Sequence, residues 1–379
     1  MSGCCGFNES GTSIPESVDQ VVFDTDSTYP KMEFQRDVVY MDSLLLDIIH
    51  DIDVDSEGTV YMAGEKWNHL EVHKFTTEGD YLGSIGSLGK EPGSFLRMSR
   101  IDIRGTNLWV SDTEMNRLTR FDAGTGKLQH VVELDSVLTL LKGSAAENGY
   151  AAINPVGPIQ SNRFMVTLSE ERNPAYQPQF DVDYALISSG EDDSLNTTQL
   201  FKGKARRYVV GDYAGRPVAF SLEINERPLA DFNAGGLIYT ANSSDFYIRV
   251  FNQEGAFIRT YRYPYERFRL DPQQEIFPSY TYNRQLFMVR ESADYPEFWP
   301  ALYHMFLDDE QRLWVSSVTA NRNIAEWFVI DDRSQSLVSR FNWPVDKPFS
   351  AVRNGYAYAI EKNSAGFKIV VRYKIQPDE

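Results

Sequence analysis

The stretch DIDVDSEGTVYMAG, residues 51–64, carries aspartates at alternate positions ahead of a glycine, which is how a calcium loop begins. An EF-hand loop takes oxygen ligands at its first, third and fifth positions, a glycine at the sixth and a bidentate glutamate at the twelfth. Asp51, Asp53 and Asp55 satisfy the first three, but Ser56 and Met62 stand at the two most restrictive positions. The flanks disagree as well. Ile52, Val54, Val60 and Met62 recur with the period of a strand, whereas an EF-hand needs helices. The stretch reads as two short strands joined by a turn at Ser56-Glu57-Gly58, its acids solvated.

A second candidate is HLEVH, residues 69–73. On a strand His69, Glu71 and His73 share one face, and two imidazoles with a carboxylate are zinc ligands. The set is incomplete and lacks the helix and adjacent glutamate of a metalloprotease; a polar outward face accounts for it equally well. No nucleophile elbow, phosphate loop or Cys/His pair is present: Gly83-Ser84-Ile85-Gly86 is not G-x-S-x-G, and Gly211 to Gly215 reads as a turn. The two cysteines, Cys4 and Cys5, are adjacent and cannot staple a fold. Cys4 follows Met1-Ser2-Gly3, which resembles the end of a bacterial lipoprotein signal. Cys4 is therefore a candidate lipid anchor where the full gene encodes an export signal, with residues 1–18 a flexible tether to a folded body at 19–379.

Strands must position whatever chemistry there is. Aromatics make up 13% of the 379 residues, and aromatic and β-branched enrichment favours an all-β class. The organising feature is an internal repeat. In RIDIRGTNLWVSD, residues 100–112, Ile101 and Ile103 fall 49 residues after Ile52 and Val54, and Leu108-Trp109-Val110 replaces Val60-Tyr61-Met62. HMFLDDEQRLWVSS at 304–317 is a third copy; PLADFNAGGLIYTANS at 228–243 and PFSAVRNGYAYAIE at 348–361 are looser ones. Two further strands joined by another turn follow each copy, as in LEVHKFTTEGDYLGSIG at 70–86 and RLTRFDAGTGKLQHVVEL at 117–134. Four antiparallel strands, radially repeated, make a propeller blade.

GSLGKEPGSF at 86–95, leading through RIDI into LWVSDTEMNRLTRFDAGTGKL at 108–128, resembles an NHL repeat. Over residues 40–376 the chain is similar in architecture to bacterial NHL-like six-bladed propeller lipoproteins, a group whose members mostly lack a known activity. The resemblance implies structural roles for Asp112, Asn116 and Arg117. The expected blades lie near 48–88, 96–135, 140–203, 207–263, 283–344 and 348–376. The last is completed by an N-terminal strand, QVVFDTD at 20–26 or MEFQRDVVYM at 32–41. A Pro- and aromatic-rich insertion at 265–300 separates blades four and five, with a helical turn expected within SADYPEFWPAL at 292–302.

Matching Val54, Ile103 and Leu307 places Asp51, Arg100 and His304 at one position, at the head of the innermost strands and facing the channel mouth. An acid, a base and a group titrating near neutrality could bind a polar or zwitterionic ligand there; channel water wetting polar strand ends is the plain alternative. Tyr261, Tyr263, Tyr265, Phe268, Phe277, Tyr280, Tyr282 and Trp299 around the insertion form either an exposed stacking platform or a buried satellite core. The net charge of −17 argues against nucleic acid and anionic membrane surfaces as partners. The sequence thus points to a non-catalytic binding or scaffolding propeller. It would sit outside the cytoplasm at the periplasmic or outer-membrane surface of the envelope, lipid-anchored through Cys4 if exported and cytoplasmic otherwise, and recognise a peptide, glycan or protein. No cofactor is expected beyond a divalent metal in the alternative reading, a lactonase-like metal-dependent hydrolase or lyase with its site in the channel.

Overall fold

A computed structural model describes residues 19–40, 46–138, 150–160, 163–170, 173–189, 195–222, 224–233, 235–276 and 284–377. Cys4, the proposed tether, and Phe277, Tyr280 and Tyr282 lie outside them.

The chain is a six-bladed β-propeller. Blade one is Ile48–Val54, Val60–Lys66, His69–Phe75 and Tyr81–Ile85; blade two is Met98–Arg104, Asn107–Asp112, Arg117–Asp122 and Leu128–Glu133. Blade three is Tyr150–Gln160, Arg163–Glu170, Asp181–Ser189 and Leu195–Lys204; blade four is Pro228–Phe232, Ile238–Asn242, Tyr247–Phe251 and Phe257–Arg262. Blade five is Leu302–Leu307, Arg312–Val318, Ile324–Asp331 and Ser336–Pro344. Blade six takes Phe349–Arg353, Tyr356–Lys362 and Lys368–Pro377, and Met32–Tyr40 supplies its outer strand. Of the two N-terminal segments, Met32–Tyr40 thus closes the ring, while Asp19–Val22 adds a fifth, parallel strand to blade four.

Strand alternation explains the packing. Successive side chains point to opposite faces of a strand, and both faces of a blade meet a neighbour, so both are apolar. Leu108 and Val110 pack toward blade one, whereas Trp109 between them packs against Phe164 of blade three. Every adjacent pair of blades shares one such cluster; the five/six wedge is built on Trp314, Trp327, Phe341 and Phe349.

Two blade boundaries and the place of the helical turn depart from the repeat as read in the sequence. Residues 209–220 are not part of blade four but a separate hairpin, Val209–Tyr213 with Arg216–Phe220. Blade five begins at Leu302, and the insertion before it carries short helices at Pro272–Glu275 and Arg284–Met288, with none in 292–302. Asp271 caps the first of these helices, where Pro272 fits because an N-terminal residue needs no amide. The hairpin and the insertion share an apolar cluster, Val209, Leu222, Ile224, Leu270, Ile276, Leu286 and Val289, forming a satellite on the ring. Gly211 lets the hairpin approach closely, since a Cβ there would lie 2.7 Å from the Cβ of Val289. Among the described residues no helix is long and apolar enough to cross a membrane.

Four antiparallel strands return the chain to the face on which it entered the blade. The hairpin at 209–220 and the described part of the insertion, which join blade three to four and four to five, therefore lie on the face where the inner strands begin.

Candidate functional site

The inner strands enclose a channel cavity of about 500 Å³ that blades one, two, four, five and six line. Four of those strands carry a β-bulge at the same place, between Ile49 and Asp51, Met98 and Arg100, Leu302 and His304, and Phe349 and Ala351. A bulge adds one residue opposite one on the partner strand and turns its side chain out of register. The bulged residues are His50, Ser99, Tyr303 and Ser350, and all four line the cavity. Blade three is different: Gly157, whose Cβ would lie 3.1 Å from Phe232 Cζ and 3.4 Å from Arg100 Cδ, leaves room for Arg100 to cross the channel.

Asp51, Arg100 and His304 do come to one place. Each directly follows a bulge, they pair with Ala63, Ser111 and Ser316 respectively, and all three line the cavity. Arg100 Nη2 donates to Asp231 at 2.6 Å and its Nε to Asp102 at 2.7 Å, while the guanidinium lies 4.8 Å from the Phe232 ring. Arg104 reaches Asp102 at 3.0 Å. Arg353 pairs with Asp53 at 3.3 Å, and its Nη1 donates to the Leu307 carbonyl at 2.7 Å.

The titrating group is not the expected one. His304 stacks parallel to Trp327, interplanar angle 4°, and burial assisted by Arg227 lowers its pKa to about 4, so it is neutral at pH 7. Asp51 takes the role instead: burial pushes its carboxyl up to about 7, although Arg100 and the amides of Ile101 and Ile52 oppose the shift. Asp102, Asp231 and Arg353 were not singled out from the sequence, and Asp53 only as a calcium-loop position. Asp102 lies 49 residues after Asp53, and Asp231 holds the same place in PLADFNAGG, so the repeat itself carried the signal.

His69, Glu71 and His73 lie along one strand in unlike surroundings. The His69 side chain is 74% exposed, 3.9 Å from Glu71, whereas His73 is buried with Nδ1 3.5 Å from the Tyr81 hydroxyl. Asp55 spends its carboxylate on the amides of Glu57 and Thr59, both at 2.9 Å, shaping the turn. Among the described residues no three His, Cys, Asp or Glu are grouped so as to hold a metal ion. Asp112 accepts amides from Leu96, Arg97, Glu114 and Met115, and buried Arg117 donates to the carbonyls of Lys90, Glu91 and Ser94; both fix the approach loop of blade two. Tyr261 and Tyr263 are buried between blades four and five, and Trp299 packs on the satellite cluster, so these rings are core.

No family model and no curated protein matches the chain. Solved propellers do. A "Putative exported protein" of Bacteroides fragilis NCTC 9343 is 11% identical over 95% of this chain and 100% of that one, with a TM-score of 0.48. A luciferin-regenerating enzyme is 11% identical over 89% and 95% of the two chains, TM-score 0.42, and a streptogramin B lyase 8% identical over 92% and 98%, TM-score 0.43. Likeness at this level concerns the ring alone and carries no argument about activity.

Proposed function

We propose that this chain is a non-catalytic binding propeller of the bacterial cell envelope that grips a polar group of a peptide, glycan or protein partner in its channel cavity. The observation that carries this reading is the cavity itself. Its volume suits a small ligand or the end of a larger one, and bulges in four blades turn His50, Ser99, Tyr303 and Ser350 toward it. Its arginines are committed: Arg100 and Arg353 to carboxylates, Arg227 to the Tyr303 carbonyl. Groups fixed in this way suit recognition through a preorganised lining better than catalysis, which needs a nucleophile beside a free base. Attachment through Cys4 would place the cavity outside the cytoplasm.

Capture from envelope extract tests the reading. Immobilised wild type is compared with an Asp51→Ala/Arg100→Ala/His304→Ala variant and with Ser350→Trp, which fills the cavity while leaving every ion-pairing residue in the chain; melting verifies that each is folded. A ligand retained by wild type and lost from both variants supports the channel site. Equal retention by all three removes the channel from the function. Partition of wild type and Cys4→Ser between membrane and soluble fractions tests the anchor.

A further inference from the structure

A census of the cavity's charges leaves one group over. Asp53 is paired with Arg353, Asp102 with Arg100 and Arg104, and Asp231 with Arg100. Arg227 donates to the Tyr303 carbonyl at 2.6 Å, and His50 contacts Glu65 at 3.1 Å. Asp51 is the exception: its oxygens accept the amides of Ile52 and Ile101, each at 2.9 Å, and among the described residues no cation lies within ion-pair distance of it. Each carboxylate oxygen has room for about two donors, so one site on each remains. A carboxylate in a cavity whose attracting charge, Arg100, is shared with Asp102 and Asp231 costs free energy that a ligand cation would recover.

We infer that the channel ligand presents an organic ammonium group and that Asp51 is its counter-ion. This rests on the reading of the cavity as a binding site and names the chemistry of what enters it. A bare divalent metal is a poor candidate, because the neighbouring carboxylates are engaged by arginines and hard cations need several oxygens. An alkyl body suits the rest of the lining, where Ile49, Leu229, Met305 and Pro348 supply apolar surface beside the aromatic side chains of Tyr303 and Phe306. The chain's net charge of −17 draws cations toward it over distance.

Protons report the event. The Asp51 carboxyl sits at about 7 without a ligand, while His304, at about 4, stays neutral from pH 6 to 8. An ammonium binds the ionised carboxylate, so affinity rises about tenfold from pH 6 to pH 8, and at pH 7 about half a proton is released per ligand bound.

Titration calorimetry of the full chain with n-butylammonium at pH 6, 7 and 8, in two buffers of different ionisation enthalpy, measures both. Butyrate and n-butanol serve as anionic and neutral counterparts. The expected result is binding of butylammonium alone, with that pH slope and proton release, weakened at least tenfold and made independent of pH by Asp51→Asn, and abolished by Ser350→Trp. Equal binding of butanol or butyrate, or a butylammonium affinity unmoved by pH and by Asp51→Asn, overturns the ammonium assignment while leaving the cavity a binding site. Silence from all three probes overturns the assignment too. If silence is accompanied by equal capture of the envelope ligand by wild type and Ser350→Trp, the channel reading falls with it.

Discussion

The Asp51 carboxylate accepts the backbone amide of Ile101, one blade away, at 2.9 Å. Asp53 does the same for Ile103 at 2.7 Å, and between blades four and five Asp231 does so for Leu307 at 2.7 Å. In each case the other oxygen accepts the next residue's own amide, at Ile52, Val54 and Phe232. Neighbouring inner strands belong to separate sheets and share no ladder, so these carboxylates satisfy amides that face the channel.

Asp231 has the most to lose. Its removal leaves the Leu307 amide without an acceptor and Arg100 without one of its two carboxylates. Breaking a buried pair from one side costs about 3–5 kcal/mol. Asp231→Ala is expected to lower the urea midpoint accordingly, and Asp231→Asn, which keeps one acceptor, by less. A loss under about 1 kcal/mol for the alanine variant would show that the bridge is replaceable by water.

Asp51 gives stability a pH dependence of definite sign. Its folded pKa, about 7, lies above the ordinary aspartate value, so the native state holds the extra proton and the contribution is fully present below about pH 4. It is lost as pH rises through 7, at up to about 1.4 kcal/mol per pH unit in that window. The difference in unfolding free energy between wild type and Asp51→Asn should therefore shrink or reverse from pH 4.5 to 7.5. Parallel curves for the two proteins would place the Asp51 pKa near that of a free aspartate.

The ring was readable in the sequence because each blade buries both faces, so the repeat of Ile52 and Val54 in Ile101 and Ile103 reports a packing need shared by every wedge. The convergence of Asp51, Arg100 and His304 followed from the same alignment. What the pattern could not carry was environment. His304 is neutral because it is buried, stacked on Trp327 and near Arg227 of another blade, and Asp51 titrates because its burial outweighs the opposing charge of Arg100. The hairpin's place in the satellite was missed for a related reason: Val209–Tyr213 and Arg216–Phe220 alternate like blade strands, and only their packing against Leu286 and Val289 sets them apart.

The satellite is held by one conspicuous clamp. Arg322, in a turn of blade five, lies 5.1 Å from the ring centres of both Phe268 and Trp299, and its Nε donates to Glu275 at 2.9 Å, an acid that also accepts from Trp299 Nε1. Arg322→Ala should loosen the satellite without unfolding the ring. Hydrogen exchange in 209–220 and 284–299 is expected to quicken at least tenfold, with blade amides unchanged. Uniform acceleration everywhere would mean that satellite and ring unfold as one unit.

Divalent metal removal should be silent. The Asp55 carboxylate is occupied by its own turn, and His73 is buried against Tyr81. Dialysis against a chelator is expected to leave Tm unchanged, because only a ligand bound to the native state raises it. A fall reversed by calcium or zinc would reinstate a metal site and with it the hydrolase or lyase alternative.

Ring closure separates the two N-terminal strands. Asp19–Val22 adds a short parallel edge to blade four, with Val22 55% exposed, whereas Met32–Tyr40 is the outer strand of blade six. Tyr40 is wholly buried, and Asp37 pairs with Arg372 at 2.6 Å. Deleting residues 1–22 should lower Tm by no more than roughly 5 °C, since little apolar surface is uncovered. Deleting residues 1–40 strips blade six to three strands, exposes the edge of Lys368–Pro377 and removes Tyr40 from the six/one wedge. No cooperative transition is expected from that protein, and supplying 32–40 as a separate peptide should restore one, because the strand is joined to its blade by hydrogen bonds and packing alone. A truncated chain that still melts sharply without the peptide would mean that five complete blades suffice to hold the sixth.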